Sequence, residues 1–447
     1  MRTQFLLLLA LLVGAHGAKL PKKKVCVIGA GACGIISLKQ FVDHPDEFEV
    51  IAFDKNSDVG GLWIYTDSTT LDEYGLPVHS SMYKYLRTNL PKEIMATPDY
   101  REFNGDRSCV THETVLQYLR NYTDHFQLRR YIQHNTLVDK VTPIRGNSDW
   151  RTTKYTVESH NLITNESAVT TCDAVSVCNG HYFKPHLPII SNLESFPGRV
   201  LHSHIYRKPE DFAGQTVVIL GASLSGIDLS IEIAKYAKKI YLSHNKPKIT
   251  SPLPENVIQV TGVVGANGDK LILKDESNIT AEVLIFCTGY EFDYPFLDKN
   301  SSGIEVVNNH VKPLYKQLIN IKHPSMAIVG LPILALHFPI FYIQSQYFLA
   351  LLQGKVKLPS REEMLEDSER LPPGKPERYA HFLGPAQWAY NDDLAKLGQF
   401  ESLPKYYKRG GHMWTSYRDA NILHYKESDL IIHDDGSVEI VHVEGRH

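Results

Sequence analysis

At 447 residues, with 43% hydrophobic and 22% charged residues, the chain has the composition of an ordinary globular protein and the length of two or three domains. Its formal net charge of -3 lacks the basic excess of a nucleic-acid binder. The 21 histidines are scattered, with no HExxH or clustered pattern that would hold a metal.

The N-terminus, "MRTQFLLLLALLVGAHGAKL", carries Arg2, an apolar run from Phe5 to Val13, and small residues Ala15 and Gly17. This predicts a secretory signal peptide over residues 1–17. No later segment offers the roughly 18 consecutive apolar residues of a membrane span. The expected product is secreted and soluble, without a membrane anchor. Behind a signal peptide, the sequons at Asn121, Asn165, Asn278 and Asn300 become candidate glycan sites. Of the six cysteines, Cys26, Cys178 and Cys287 sit in apolar strand-like runs and Cys33 in a glycine motif. They read as small buried hydrophobes. Cys109 and Cys172 are the one pair left as candidates for a disulfide.

"KKKVCVIGAGACGIISLKQF" is a strand, Val25 to Ile28, opening into Gly29-x-Gly31-x-x-Gly34 and a helix, with Ala32 and Cys33 between the glycines. The first glycine permits a tight turn, the second close approach of a pyrophosphate, and the third close packing of helix on strand. A second strand, "FEVIAFD", ends in Asp54, placed to hold a ribose hydroxyl.

The plan repeats in "QTVVILGASLSGIDLSIEIAKYAKKIYLSHNKPK". Here Gly221-x-Ser223-x-Ser225-Gly226 is followed on the helix by Ile227 and Asp228. The second strand ends not in a carboxylate but in Ser243-His244-Asn245-Lys246. Hydroxyl and cationic groups suit a ribose 2′-phosphate, which a carboxylate would repel. Two such modules imply FAD in the first and NADPH in the second. No CxxC pair is present for a disulfide reductase.

Further stretches narrow the choice. "DVGGLWIY" supplies Gly60, Gly61, Leu62 and Trp63, and "SMYKYLRTNLPKEIMATPDY" supplies Leu86, Thr88, Asn89 and Pro91. A linker reads Phe196-x-Gly198-x-x-x-His202-x-x-x-Tyr206, and "EVLIFCTGYEFDYPF" supplies Thr288-Gly289-Tyr290. Together these closely resemble the class B flavin-containing monooxygenases. The resemblance implies an α/β fold of two Rossmann-like dinucleotide-binding domains, the NADPH domain inserted into the FAD domain. The boundaries are then 22–205 and 326–447 for the FAD domain, its second part carrying a C-terminal cap, and 206–325 for the NADPH domain.

It also implies the chemistry. NADPH reduces FAD, dioxygen forms a flavin C4a-hydroperoxide, and a soft nucleophile such as a tertiary amine or sulfide takes the distal oxygen. By resemblance Asn89 is the catalytic residue beside the flavin, with Thr88 next to it. Leu62 and Trp63 flank the flavin, and Gln344 is a later flavin contact. His202 and Tyr206 lie at the nicotinamide side of the domain junction. Tyr206, where Baeyer–Villiger enzymes usually carry Trp, favours the N/S-oxygenating branch. A ketone-oxygenating, an S-oxygenating or an uncoupled NADPH-oxidising enzyme is the alternative. The run from Leu336 to Phe348 reads as pocket wall or core, and "EDSERLPPGKPERYAHFLGPAQWAYNDDLAKLGQF" as capping helices and loops. A signal peptide and a polar end, "DDGSVEIVHVEGRH", make the architecture similar to secreted insect enzymes that N-oxygenate pyrrolizidine alkaloids.

Overall fold

The computed structural model describes residues 21–144 and 149–443; the expected signal peptide lies outside the described residues. The strand Lys23–Ile28 is buried on both faces. Val25 and Val27 pack with helix Ala32–Val42 and helix His337–Leu352, while Cys26 and Ile28 face the opposite core. Such two-sided burial belongs to the centre of a parallel sheet. That sheet has seven strands in the order 314–315, 319–320, 326–328, 174–177, 23–28, 48–53, 132–133. The run from 326–328 onward is parallel, and the two strands before it form an antiparallel edge.

The second fingerprint builds a five-stranded parallel sheet in the order 257–260, 239–243, 216–220, 283–286, 199–202. Val217 and Ile219 face one core, Val218 and Leu220 the other. This sheet begins at Arg199, ahead of the sequence boundary at 206, and residues 314–320 already pair in the first sheet, ahead of the boundary at 326. Strand Met326–Ile328 runs beside Ala174–Val177, so the second unit is an insertion in the first. The inner run of Leu336 to Phe348 is a helix apolar on all sides, which makes it core.

Each parallel sheet carries a three-stranded antiparallel sheet on one face, built from 136–144, 154–161 and 167–172 in the first unit and from 263–267, 270–273 and 278–280 in the second. The first of these corrects the cysteine reading. Cys26 is bonded to Cys172, with Cα atoms 6.0 Å apart, and Cys109 is a buried free thiol. The pair forms because one sheet is laid on the other, a contact that spacing along the chain does not encode. The polar end also has structure. Strands Ser428–Ile432 and Val438–His442 form a hairpin whose turn places Gly436 at φ +76°, as an Asp-Gly turn requires. With helix Lys405–Ala420 it packs on the first unit around Trp414, Tyr407 and Ile94.

Candidate active site at the junction of two dinucleotide cradles

The first glycine loop is closed to side chains. A Cβ on Gly29 would lie 2.6 Å from the Cys178 carbonyl oxygen, and one on Gly34 only 1.8 Å from that of Gly29. Gly31 instead faces Gly61 across a gap, where a Cβ would stand 3.6 Å from the Gly61 Cα. Gly60 N–H donates to the Ala30 carbonyl at 3.1 Å, tying the two loops together. Helix Ala32–Val42 starts without a side-chain cap or an acidic residue in its first turn, so its free N–H groups and positive end are left for a phosphate. Asp54 accepts from Ala30 N at 2.6 Å and Asn56 N at 2.8 Å, and each carboxylate oxygen retains acceptor capacity. Burial raises its pKa against these donors. The donor set fits a dinucleotide.

The second loop repeats this geometry. A Cβ on Gly221 would meet the Cys287 carbonyl oxygen at 2.4 Å, and one on Gly226 that of Gly221 at 1.8 Å. Ser223 and Ser225 are exposed at the start of helix Leu224–Ala234, which has no side-chain cap, and Ile227 is half-buried one turn in. Two expected ligands are placed otherwise. Ser243 is fully buried, its hydroxyl donating to Thr261 O at 2.8 Å and accepting from Val263 N at 3.0 Å. The Asp228 carboxylate accepts from Tyr83 Oη at 3.0 Å and from Lys426 Nζ at 2.7 Å.

The residue missed was His244. Ile28 pairs with Phe53 in the first sheet and Leu220 with Ser243 in the second, so His244 is the counterpart of Asp54. Its Nε2 lies 3.2 Å from Gln259 Oε1, and its buried Nδ1 has no partner among the described residues. Lys246 donates to Ala222 O at 3.1 Å on the loop itself, its pKa lowered by burial and by Lys375 nearby. The variant Lys246→Ala is expected to raise the KM for NADPH about tenfold while leaving that for NADH within about twofold. Steady-state assays with both reductants check this, and equal rises would place the 2′-phosphate elsewhere.

Between the cradles, Leu62 O accepts from Ser80 Oγ at 2.7 Å, and Trp63 stands edge-on to Phe338 with ring centroids 6.4 Å apart. Thr88 braces the segment: its N–H donates to Val110 O at 2.8 Å and its hydroxyl accepts from Val110 N at 3.1 Å. Asn89 follows, its carbonyl accepting from Trp414 Nε1 at 3.1 Å. Its half-buried side-chain amide has no hydrogen bond to the described residues. Gln344 is fully buried. It accepts from Gly330 N at 2.8 Å and donates to Tyr390 Oη at 2.6 Å, so it shapes the Gly330 turn. Thr288 donates to His186 O at 2.5 Å, and Gly289 O accepts from His186 N at 2.9 Å.

In the linker, His202 Nδ1 accepts from His204 N at 3.0 Å, which makes Nε2 the donor to Gly289 O at 3.0 Å. Burial lowers its pKa to about 4, so it is a neutral strut at physiological pH. Tyr206 is buried in the second unit's core against Tyr83 and Phe212, with its hydroxyl by Glu232.

Burial, then the Asp228 charge, raises Glu232 to about 7. Because this lies above the unfolded carboxylate value, the folded state loses stability as pH rises from about 4.5 to 7. Glu232→Gln removes that penalty. Urea unfolding should show a gain of up to about 3 kcal/mol at pH 8 and almost none at pH 4.5.

The comparisons with known proteins agree with this geometry. The family model for flavin-binding monooxygenase-like proteins matches residues 22–251 and 253–397. The chain is 34% identical over 429 residues to flavin-containing monooxygenase FMO GS-OX4 of Arabidopsis thaliana, covering 88% of this chain and 90% of that protein. S-allyl-L-cysteine S-oxygenase of Allium sativum superimposes with a TM-score of 0.82 at 32% identity, over 92% of this chain and 96% of that one. Tmm of Pelagibacter does so with a TM-score of 0.79 at 27% identity, over 93% and 95%. With two glycine cradles in the family's order and this likeness along most of its length, the chain belongs to the flavin-containing monooxygenases, enzymes that use FAD and NADPH.

Proposed function

We propose that this monooxygenase oxygenates neutral soft nucleophiles, N-oxygenating tertiary amines such as pyrrolizidine alkaloids outside the cell. The observation that carries the reading is the placement of Asn89: a half-buried amide without a hydrogen-bond partner among the described residues, in the segment between two cradles built for dinucleotides. Bound FAD, reduced by NADPH, supplies the oxygen-activating chemistry, and the protein supplies geometry and exclusion of water. Gly29, Gly31, Gly34, Gly61 and Asp54 would hold FAD. Gly221, Ser223, Ser225, Gly226 and Lys246 would hold NADPH. The Asn89 amide, with a donor and an acceptor to offer, would orient the reacting oxygen and the retained nicotinamide. Thr88 and Trp414 keep its backbone in place, and His202, neutral at pH 7 with its one N–H donated to Gly289 O, is no imidazolium for general acid catalysis.

Export is supported by the apolar N-terminal run and by the Cys26–Cys172 disulfide, a bond kept in oxidising compartments. Asn165, Asn278 and Asn300 are exposed and Asn121 half-buried, within reach of glycosylation. Sulfur oxygenation is the second reading, favoured by the likeness to a plant S-oxygenase. The test is NADPH oxidation by the purified enzyme with a free-base pyrrolizidine alkaloid or with S-allyl-L-cysteine, following NADPH, oxygenated product and hydrogen peroxide together. N-oxide formed in step with NADPH loss supports the first reading, and sulfoxide alone the second. Peroxide alone from both would sink the two.

A further inference from the structure

The C-terminal unit touches both domains at places that no dinucleotide motif predicts. Trp414 donates its indole N–H to the Asn89 carbonyl at 3.1 Å. Eleven to thirteen residues on, Tyr425–Glu427 runs alongside the same turn. There Arg87 is bonded to the Glu427 carboxylate at 2.6 Å, to the Cys109 carbonyl at 3.0 Å and to the Lys426 carbonyl. Arg107 holds the other Glu427 oxygen at 2.5 Å. The Lys426 ammonium then bridges outward, 3.3 Å from the Arg87 carbonyl and 2.7 Å from the Asp228 carboxylate on the second domain's helix. A second tie lies nearby, where Ser251 of the inserted unit donates to Ala420 O at 3.1 Å and accepts from Ile422 N at 3.1 Å.

We infer that Lys426 is a positioning residue that latches the NADPH-binding domain to the turn carrying Asn89, so that the retained nicotinamide and the Asn89 amide are held in one register. The Lys426 and Asp228 side chains are only 19% and 16% exposed, so this bridge is shielded from solvent, unlike the screened surface pairs that contribute little. The ammonium has one donor for each domain, and Tyr83 Oη adds a second bond to the same Asp228 oxygen from the first domain. Helix Leu224–Ala234 carries the phosphate-facing N-terminus at one end of its first turn and Asp228 at the other. A tilt of that helix therefore moves the NADPH cradle relative to Asn89. The inference rests on the reading of Asn89 and of the second cradle given above.

The test uses the FAD-loaded enzyme and the variants Lys426→Met, Lys426→Arg, Asp228→Asn and the double Lys426→Met/Asp228→Asn. NADP⁺ affinity is measured by titration of the flavin absorbance, without turnover, alongside FAD content, Tm and peroxide released per NADPH. Lys426→Met is expected to keep FAD, to weaken NADP⁺ about tenfold and to raise peroxide severalfold, while Lys426→Arg stays within about threefold of the parent. Asp228→Asn should do the same as Lys426→Met, and the double variant no more than either, because both break one link. NADP⁺ binding unchanged in Lys426→Met, or fully additive losses in the double variant, would overturn the latch. Failure of the parent enzyme to bind NADP⁺ would instead overturn the assignment of the second cradle.

Discussion

The variant Gly31→Ala is expected to fold and to be isolated without FAD. In the free protein a methyl group at this position meets the Gly61 Cα at 3.6 Å, an ordinary contact, and the backbone is extended at φ -69° and ψ -173°, which alanine adopts freely. The clash comes only when a pyrophosphate lies against the loop. The apoprotein should therefore unfold at the same urea concentration as the parent apoprotein, while FAD binds at least about tenfold more weakly. Gly34→Ala is the contrasting variant. Its methyl would sit 1.8 Å from the Gly29 carbonyl oxygen, so strand and helix must separate and stability falls with or without cofactor. Urea unfolding of the apo forms and flavin absorbance of the purified proteins distinguish the two. A yellow Gly31→Ala protein with normal FAD content would show that the pyrophosphate does not approach this loop. In the second cradle Ser223 occupies the position of Gly31 and already carries a Cβ, so the NADPH pyrophosphate is expected to stand farther from the backbone there.

Asn89→Ala is expected to keep FAD, keep NADPH oxidation and lose product. The substitution removes an amide with no hydrogen bond to the described residues and leaves the carbonyl that Trp414 holds, so the fold has little to lose. A donor aimed at developing charge in a water-poor site contributes about 10²–10³ in rate. Product per NADPH should fall by at least about tenfold, with hydrogen peroxide making up the difference. Parallel assays of NADPH, oxygenated product and peroxide decide it. Tightly coupled turnover in Asn89→Ala would remove this residue from the mechanism.

Both cradles were legible in the sequence because their determinants are local. A strand, a glycine at a forced turn and a helix lie within a dozen residues, and the steric reason for each glycine is met by the same short segment or its neighbouring strand. Residues whose roles depend on distant partners were not. Asp228 follows the second fingerprint and reads as a cofactor ligand, but its carboxylate is taken by Tyr83 and by Lys426, 198 positions further on. Gln344 reads as a flavin contact, while its bonds to Gly330 and Tyr390 join segments that chain spacing does not bring together. Ser243 was chosen as a hydroxyl at the end of a strand, yet strand alternation turns it inward, and His244 is the residue that the register matches to Asp54. Trp414 and Lys426 lie in a segment without recognisable motifs, and only packing brings them to Asn89 and Asp228.

The insertion of one domain into the other has a consequence for how the molecule comes into being. Strand Ala174–Val177 is flanked in the first sheet by Lys23–Ile28 and by Met326–Ile328, and helix His337–Leu352 is the layer that covers helix Ala32–Val42. During synthesis the host domain must therefore wait, with a sheet edge and an apolar helix face open, while the intervening chain leaves the ribosome. At translation speeds of about 5–20 residues per second this lasts roughly ten seconds or more. The inserted sheet, spanning 199–286, has all its strands in hand first. A nascent chain stalled near residue 330, with strand Met326–Ile328 still inside the ribosome, should thus present a protease-resistant nucleotide module joined to a host that is still sensitive to proteolysis, and FAD uptake should be among the last events of biogenesis.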